Sequence, residues 1–327
     1  MRAVTYDEFR GPLSMRDVPE PAVPAGGVLV RVAATGVCRS DWHGWQGHDA
    51  DITTLPHVPG HELAGTVAAV GTGVTRWSVG DRVTAPFVNA CGRCQQCAEG
   101  NHQVCAFQRQ PGFTHWGSFA ELVALDAADV NLVALPDGMS MVTAASLGCR
   151  FATSYRAVAS VARVQPGERV VVFGCGGVGL SAVQVAVALG ASVAAIDVNP
   201  AAVELARSMG ATADVEPGDA HVTVDAIGDP RVVETCLSFL RPRGRHVQVG
   251  LLPDEQPELP MGRLLAQELQ VLGSHGMAAH EYPAMLAMVA SGQLRPDLLV
   301  SRTVPLEAAG AALVEVGRTP GITVVEI

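Results

Sequence analysis

Apolar positions follow two different rhythms along the chain. Early on they come as short runs bounded by Gly and Pro, at 28–35, 63–70 and 79–84, with Gly71-Thr-Gly73 as a turn. Runs of that length and punctuation predict strands, and the opening Met1-Arg-Ala-Val-Thr-Tyr6 predicts another. From about Thr143 the period changes. Residues 144–164 have helical spacing, 165–168 read as a turn, and strands then alternate with helices: 169–173, 180–189, 192–196, 201–209, 222–226, 232–239, 246–250 and 269–273. Such alternation predicts right-handed crossovers and a parallel, doubly wound α/β sheet. Beyond Gly276 the pattern predicts one helix over about 282–291, with Pro283 in its first turn, and a closing strand at 322–327.

A chain of 327 residues is long for one core, so two domains are expected. The composition, 48% hydrophobic and 17% charged, excludes a disordered chain. The net charge of −10 and the lack of any Lys/Arg block argue against nucleic acid. Residues 170–196 carry no charge and could span a bilayer by length, but their glycines and changing period favour a buried strand, helix and strand. A soluble protein with no membrane partner is expected. No signal segment precedes the first strand, so the expected location is cytoplasmic and the eight cysteines are expected to be reduced.

Gly174-Cys-Gly176-Gly177-Val178-Gly179 follows one apolar strand and opens an apolar helix. Glycines there allow a tight turn and let backbone amides approach a pyrophosphate at the helix N-terminus. Asp197 ends the next strand, where a carboxylate accepts the ribose hydroxyls and repels a 2′-phosphate, and no Arg follows within 198–202. The expected cofactor is NAD rather than NADP.

Cys91, Cys94, Cys97 and Cys105 are separated by two, two and seven residues. Four thiolates on one short lobe can close a tetrahedron around zinc, a structural site with no open position. Disulfides, a redox pair and a nucleic-acid-binding zinc ribbon are the alternatives; the reducing compartment disfavours the first two, the acidic balance the third. Three further segments, Cys38-Arg39-Ser40-Asp41-Trp42-His43, Gly60-His61-Glu62 and Gly148-Cys149-Arg150-Phe-Ala-Thr153, lie far apart, and no spacing rule joins them.

Taken together in their order, these segments resemble the zinc-dependent alcohol dehydrogenase family of the medium-chain dehydrogenases, over essentially the whole chain. The resemblance implies a β-rich GroES-like catalytic domain at 1–149 and 277–327, a Rossmann NAD-binding domain at 150–276, and an active site in the cleft between them. It further implies a catalytic zinc on Cys38, His61 and Cys149, with Asp41 and Glu62 orienting or tuning the ligands, and a structural zinc on Cys91, Cys94, Cys97 and Cys105. Ser40 and His43 match the pair that passes the alcohol proton to solvent through the cofactor ribose. Thr153 matches a residue beside the nicotinamide, and Arg39 one that contacts the pyrophosphate. The implied reaction is reversible hydride transfer between an alcohol and NAD, on a small-molecule alcohol, aldehyde or ketone.

Three positions depart from the family pattern. Arg150 follows Cys149 where a small residue is usual. Ile322 stands where several relatives place a second pyrophosphate-binding Arg. The loop from Cys105 to Trp116 is short, as in tetrameric bacterial relatives, so a homotetramer is expected over a dimer. A polyol, threonine or formaldehyde dehydrogenase on the same frame is the alternative enzyme, and a zinc-free quinone or enoyl reductase would leave Cys38, His61 and Cys149 unexplained. A non-catalytic protein binding NAD and zinc is the alternative from another class; the Ser40–His43 pair speaks against it. Trp42 and Trp45 read equally as pocket walls or packing, and Cys175 and Cys236 as packing.

Overall fold

The computed structural model of the chain describes residues 1–252 and 256–327. In chain order the strands are β1 (Arg2–Thr5), β2 (Ser14–Asp17), β3 (Val28–Val37), β4 (Glu62–Val70), β5 (Arg82–Thr84), β6 (Leu122–Leu125), β7 (Val133–Ala134), β8 (Arg169–Phe173), β9 (Ser192–Ile196), β10 (Ala220–Asp225), β11 (Leu240–Gln248), β12 (Gln270–Gly273), β13 (Val300–Pro305) and β14 (Ile322–Glu326). The chain divides into two compact units. One comprises residues 1–152, 276–290 and 296–327, the other residues 153–275 and 291–295.

The first unit is built on a sheet in the order β13-β14-β3-β4-β5-β7, with β6 also paired to β3 and a separate β1–β2 hairpin. Its interior follows from period-two alternation: Val28, Val30 and Val32 of β3 meet Leu63 and Val67 of β4, Val83 of β5, and Val123 and Leu125 of β6. Two features of this sheet set up the site. The antiparallel register pairs Gly36 with Glu62, so Cys38, just past the end of β3, comes near His61, just before β4. On the other side β14 pairs with β3 through Thr323 and Val37.

The second unit is a five-stranded parallel sheet in the order β12-β11-β10-β8-β9. The helices Gly177–Ala188, Pro200–Ser208 and Pro230–Phe239 connect its strands. Val171 and Phe173 of β8 pack with Val233 and Leu237 of the last of these helices. This is the doubly wound parallel sheet expected from the alternating pattern.

The sequence pattern falls short in the closing region. Besides the helix Tyr282–Ala290 and β14, the structure forms β13 and the helix Ala309–Val314 there, and the helix Met261–Gln267 earlier. β13 is an edge strand with most residues exposed, and the 261–267 helix buries none of its residues. Neither therefore carries the apolar period on which such an expectation rests. The uncharged stretch 170–196 resolves into β8, a helix and β9. Among the described residues no helix is long and apolar enough to cross a membrane.

Candidate active site

Two clusters of metal-binding side chains lie in the first unit. Cys91, Cys94, Cys97 and Cys105 bring their sulfurs within 4.8 Å of one another. Three of the separations are 3.5, 3.7 and 4.0 Å. A tetrahedron of thiolates about 2.3 Å from zinc has edges of about 3.8 Å, so the spacing fits the ion. The cysteines are free thiols, not disulfides. Backbone N–H groups of Cys91 and Phe107 donate to the Cys105 sulfur, each at 3.3 Å, as outer bonds to a thiolate should.

The second cluster is Cys38, His61, Glu62 and Cys149, whose ligand atoms also lie within 4.8 Å. Each arrives by a different local device. Cys38 stands at the N-terminal end of the helix Arg39–Trp45. His61 follows Gly60, whose φ of +106° is open to glycine at little cost; a Cβ there would meet the backbone nitrogen of Phe119 at 2.7 Å. Cys149 lies in a wide helical turn over Leu147–Phe151, a distortion frequent at functional sites. The Tyr282 hydroxyl donates to the carbonyls of Leu147 and Gly148, both at 3.3 Å, and steadies that turn.

Asp41 organises two of the three. Its Oδ1 lies 2.7 Å from His61 Nδ1 and accepts the Gly60 N–H, while Oδ2 accepts the Cys38 N–H. With Nδ1 so engaged, His61 Nε2 is buried and has no hydrogen-bond partner among the described residues. An orphaned imidazole nitrogen beside two thiols fits a soft divalent cation such as zinc. For the Cys38 thiol the electrostatics agree. The contact with Cys149, helped by His61 and Arg150, brings the Cys38 thiol well below its ordinary range despite burial. Burial depresses the His61 imidazole, but Asp41 and Cys38 outweigh it and hold it well above its ordinary value. Glu62 turns both carboxylate oxygens to Arg150, which follows Cys149 in the chain and whose backbone N–H also donates to Oε1.

Matches to known proteins agree with this geometry. The alcohol dehydrogenase GroES-like domain matches residues 24–137 and the zinc-binding dehydrogenase domain residues 177–291. An alcohol dehydrogenase of Geobacillus stearothermophilus is 35% identical over 321 residues, covering 94% of this chain and 93% of its own. The chain belongs to the zinc-dependent alcohol dehydrogenase family. Among solved structures, the alcohol dehydrogenase TADH from Thermus sp. ATN1 superposes with a TM-score of 0.91 at 32% identity, over 100% of this chain and 99% of that one. An NAD-dependent alcohol dehydrogenase superposes at 0.89 and 29% identity over the full length of both.

In this family member the proton-transfer candidates sit on the helix Arg39–Trp45. Ser40 is half-buried, and His43 Nδ1 lies 3.1 Å from Nδ1 of the exposed His48. The Arg39 guanidinium covers the Trp42 ring at 4.0 Å. Trp45 and Trp116 pack on the core, their indole N–H groups donating to the carbonyls of Gly11 and Pro56. Phe87 and Phe113, which the sequence reading did not single out, flank His61 with ring centroids 6.1 and 5.2 Å away. Phe113 also lines a cavity of about 480 Å³ with the buried His57. No spacing signal marks either phenylalanine.

The glycine loop lies in the second unit, and each glycine meets a different demand. Gly174 has a φ of +91°, and a Cβ on Gly179 would fall 1.7 Å from the Gly174 carbonyl oxygen, so the first makes the turn and the last lets helix meet strand. Gly176 faces open space and begins the helix that continues with Gly177 and Val178. The Asp197 carboxylate accepts the Cys175 N–H at 2.6 Å and the Asn199 N–H at 2.8 Å, which fixes it beside the loop. Thr153 in this unit has a buried hydroxyl with no partner among the described residues.

Proposed function

We propose that the chain oxidises an alcohol, and reduces the corresponding aldehyde or ketone, with NAD as the hydride carrier. The observation that carries the reading is the buried, unpartnered Nε2 of His61 facing Cys38 and Cys149. With three protein ligands the set leaves a fourth position for an alcohol oxygen, unlike the closed four-cysteine site. Zinc bound there supplies Lewis acidity, and the nicotinamide supplies the hydride acceptor.

The chain's own residues do the rest. Asp41 holds the His61 ring and the Cys38 backbone in place. Phe87 and Phe113 give the metal centre apolar walls, which suits an alcohol with an apolar body. Ser40 takes the alcohol proton and His43 hands it toward solvent. Arg39 contacts the pyrophosphate and Thr153 the nicotinamide. Asp197 selects NAD: its carboxylate beside the glycine loop accepts ribose hydroxyls and repels a 2′-phosphate.

A homotetramer is the proposed assembly. The outer edge of β12 is unpaired among the described residues, and Val271, Met261 and Leu265 are exposed on and near it. The proposed location is the cytoplasm, where a reducing medium keeps the cysteines as free thiols.

The test combines metal analysis with NAD and NADP reduction over primary, secondary and polyol alcohols. About two zinc ions per chain, with NAD-linked turnover on a simple alcohol, supports the reading. Zinc in the four-cysteine lobe alone, with no turnover, favours a non-catalytic NAD- and zinc-binding protein. Asp197→Asn, which keeps an acceptor for the loop but drops the charge, is expected to lose about tenfold of the NAD preference, or about 1.4 kcal/mol.

A further inference from the structure

The three proposed metal ligands have a fourth candidate beside them. Glu62 offers a carboxylate oxygen within 4.8 Å of the ligand atoms of Cys38, His61 and Cys149. A carboxylate is an ordinary zinc ligand, and one more ligand would close the tetrahedron and remove the position that an alcohol must occupy.

The structure holds that carboxylate elsewhere. The Arg150 backbone N–H and Nε donate to Glu62 Oε1 at 2.9 and 3.0 Å, and Nη2 donates to Oε2. Both carboxylate oxygens are thus engaged by one residue. The side chains are 8% and 0% exposed, so water does not compete for them. The surroundings are shaped to this pair. A Cβ on Gly36 would fall 2.2 Å from Glu62 Oε2 and 2.9 Å from Arg150 Nη2, and one on Gly148 would fall 3.0 Å from the Glu62 Cα. Because Arg150 directly follows Cys149, its own backbone N–H joins the clamp, which ties the carboxylate to the segment carrying the thiolate.

We propose that Arg150 is a positioning residue that keeps Glu62 out of the metal's ligand set and so holds the fourth coordination position open. The inference rests on the reading of Cys38, His61 and Cys149 as metal ligands. A buried carboxylate that stays ionised needs a cationic partner. Two cations can serve Glu62: the guanidinium, and a metal held by Cys38, His61 and Cys149. Bidentate, charge-assisted bonds to arginine satisfy both oxygens at once, whereas a Lys or a neutral side chain would leave one of them for the ion.

The test uses the cobalt-substituted protein, whose visible spectrum reports the number and type of ligands, titrated with azide as an added fourth ligand. In the wild type azide is expected to bind and shift the spectrum. Arg150→Met is expected to alter the azide-free spectrum and weaken azide at least about tenfold, as Glu62 takes the vacant position. Glu62→Gln with Arg150→Met carries no unpaired charge, and both the spectrum and azide binding should return toward the wild type. If Arg150→Met does not fold, Arg150→Lys, which keeps the charge but not the two-oxygen grip, is expected to weaken azide in the same direction. An unchanged spectrum and wild-type azide affinity in the folded Arg150 variant overturns the proposal. A wild type that takes up cobalt only in the four-cysteine lobe, with no azide response, overturns the ligand assignment itself and the clamp with it.

Discussion

Asp41 Oδ1 lies 2.7 Å from His61 Nδ1, and neither side chain is exposed. The same carboxylate accepts the backbone N–H groups of Gly60 and Cys38, so one acidic side chain aligns a ligating ring and the main chain of a ligating thiol. Asp41→Asn replaces one acceptor oxygen with a donor, which cannot receive all three bonds. Metal affinity at Cys38, His61 and Cys149 is expected to fall about 10- to 100-fold. Competition with a chromogenic chelator measures it. Wild-type retention of both metal equivalents would refute the role given to Asp41.

The four-cysteine lobe serves stability rather than turnover. Cys97 and Cys105 are almost fully buried in a small cluster with Ala90, where the metal takes the place of a larger apolar core. Cys97→Ala is expected to lose one metal per chain and lower Tm, with kcat per intact catalytic metal little changed. Calorimetry and metal analysis on the same preparation separate these effects; a full loss of kcat at unchanged Tm would count against a purely structural lobe.

Two glycines of the cofactor loop should respond in opposite ways. Gly176 faces open space, so Gly176→Ala is expected to leave Tm unchanged while weakening NAD about tenfold, because the new methyl occupies the approach of the pyrophosphate. Gly179→Ala forces a Cβ onto the Gly174 carbonyl and is expected to destabilise the fold by about 1–3 kcal/mol. Thermal melts beside NAD titrations check both; equal effects of the two substitutions would contradict this division of labour.

Burial, the Arg39 guanidinium and His48 lower the pKa of the His43 imidazole, and Cys38 and Asp49 only partly counteract them. His48→Gln removes one depressing neighbour, so the His43 pKa should rise toward its ordinary value of about 6.5. A base that must be neutral then becomes competent only at higher pH, and the acid limb of kcat/KM should move up in step. NMR titration of the ring gives the first shift and initial rates the second. Movement of the NMR pKa without the kinetic limb would separate His43 from proton transfer.

What could be read in advance followed from contiguity. The glycine loop and the four cysteines each occupy one short stretch, so spacing alone carried their chemistry. Cys38, His61 and Cys149 have no such spacing; the β3–β4 register and the wide turn at Leu147–Phe151 bring them together, and only resemblance to a family joined them beforehand. Arg150 stood out as an unusual neighbour of Cys149, but its partner is 88 residues away and depends on the fold. Phe87, Phe113 and Tyr282 were invisible because an aromatic at a site looks, in one sequence, like an aromatic in a core. β13 and the helix Met261–Gln267 were missed because their faces are exposed and carry no apolar period.

The pairing of β14 with the end of β3 has a consequence for how the protein is made. Thr323 lies opposite Val37, one residue before Cys38, and Tyr282 braces the turn that carries Cys149. A nascent chain still short of those residues holds every proposed ligand of the trio yet lacks two of its supports. The four cysteines of the other lobe all lie within Cys91–Cys105, and the late chain touches that lobe through the edge contact of His280 with His102. During synthesis all four thiols of the lobe are therefore in place before the catalytic trio is braced, and a ribosome stalled before Tyr282 emerges should display a complete clasp on an unfinished enzyme.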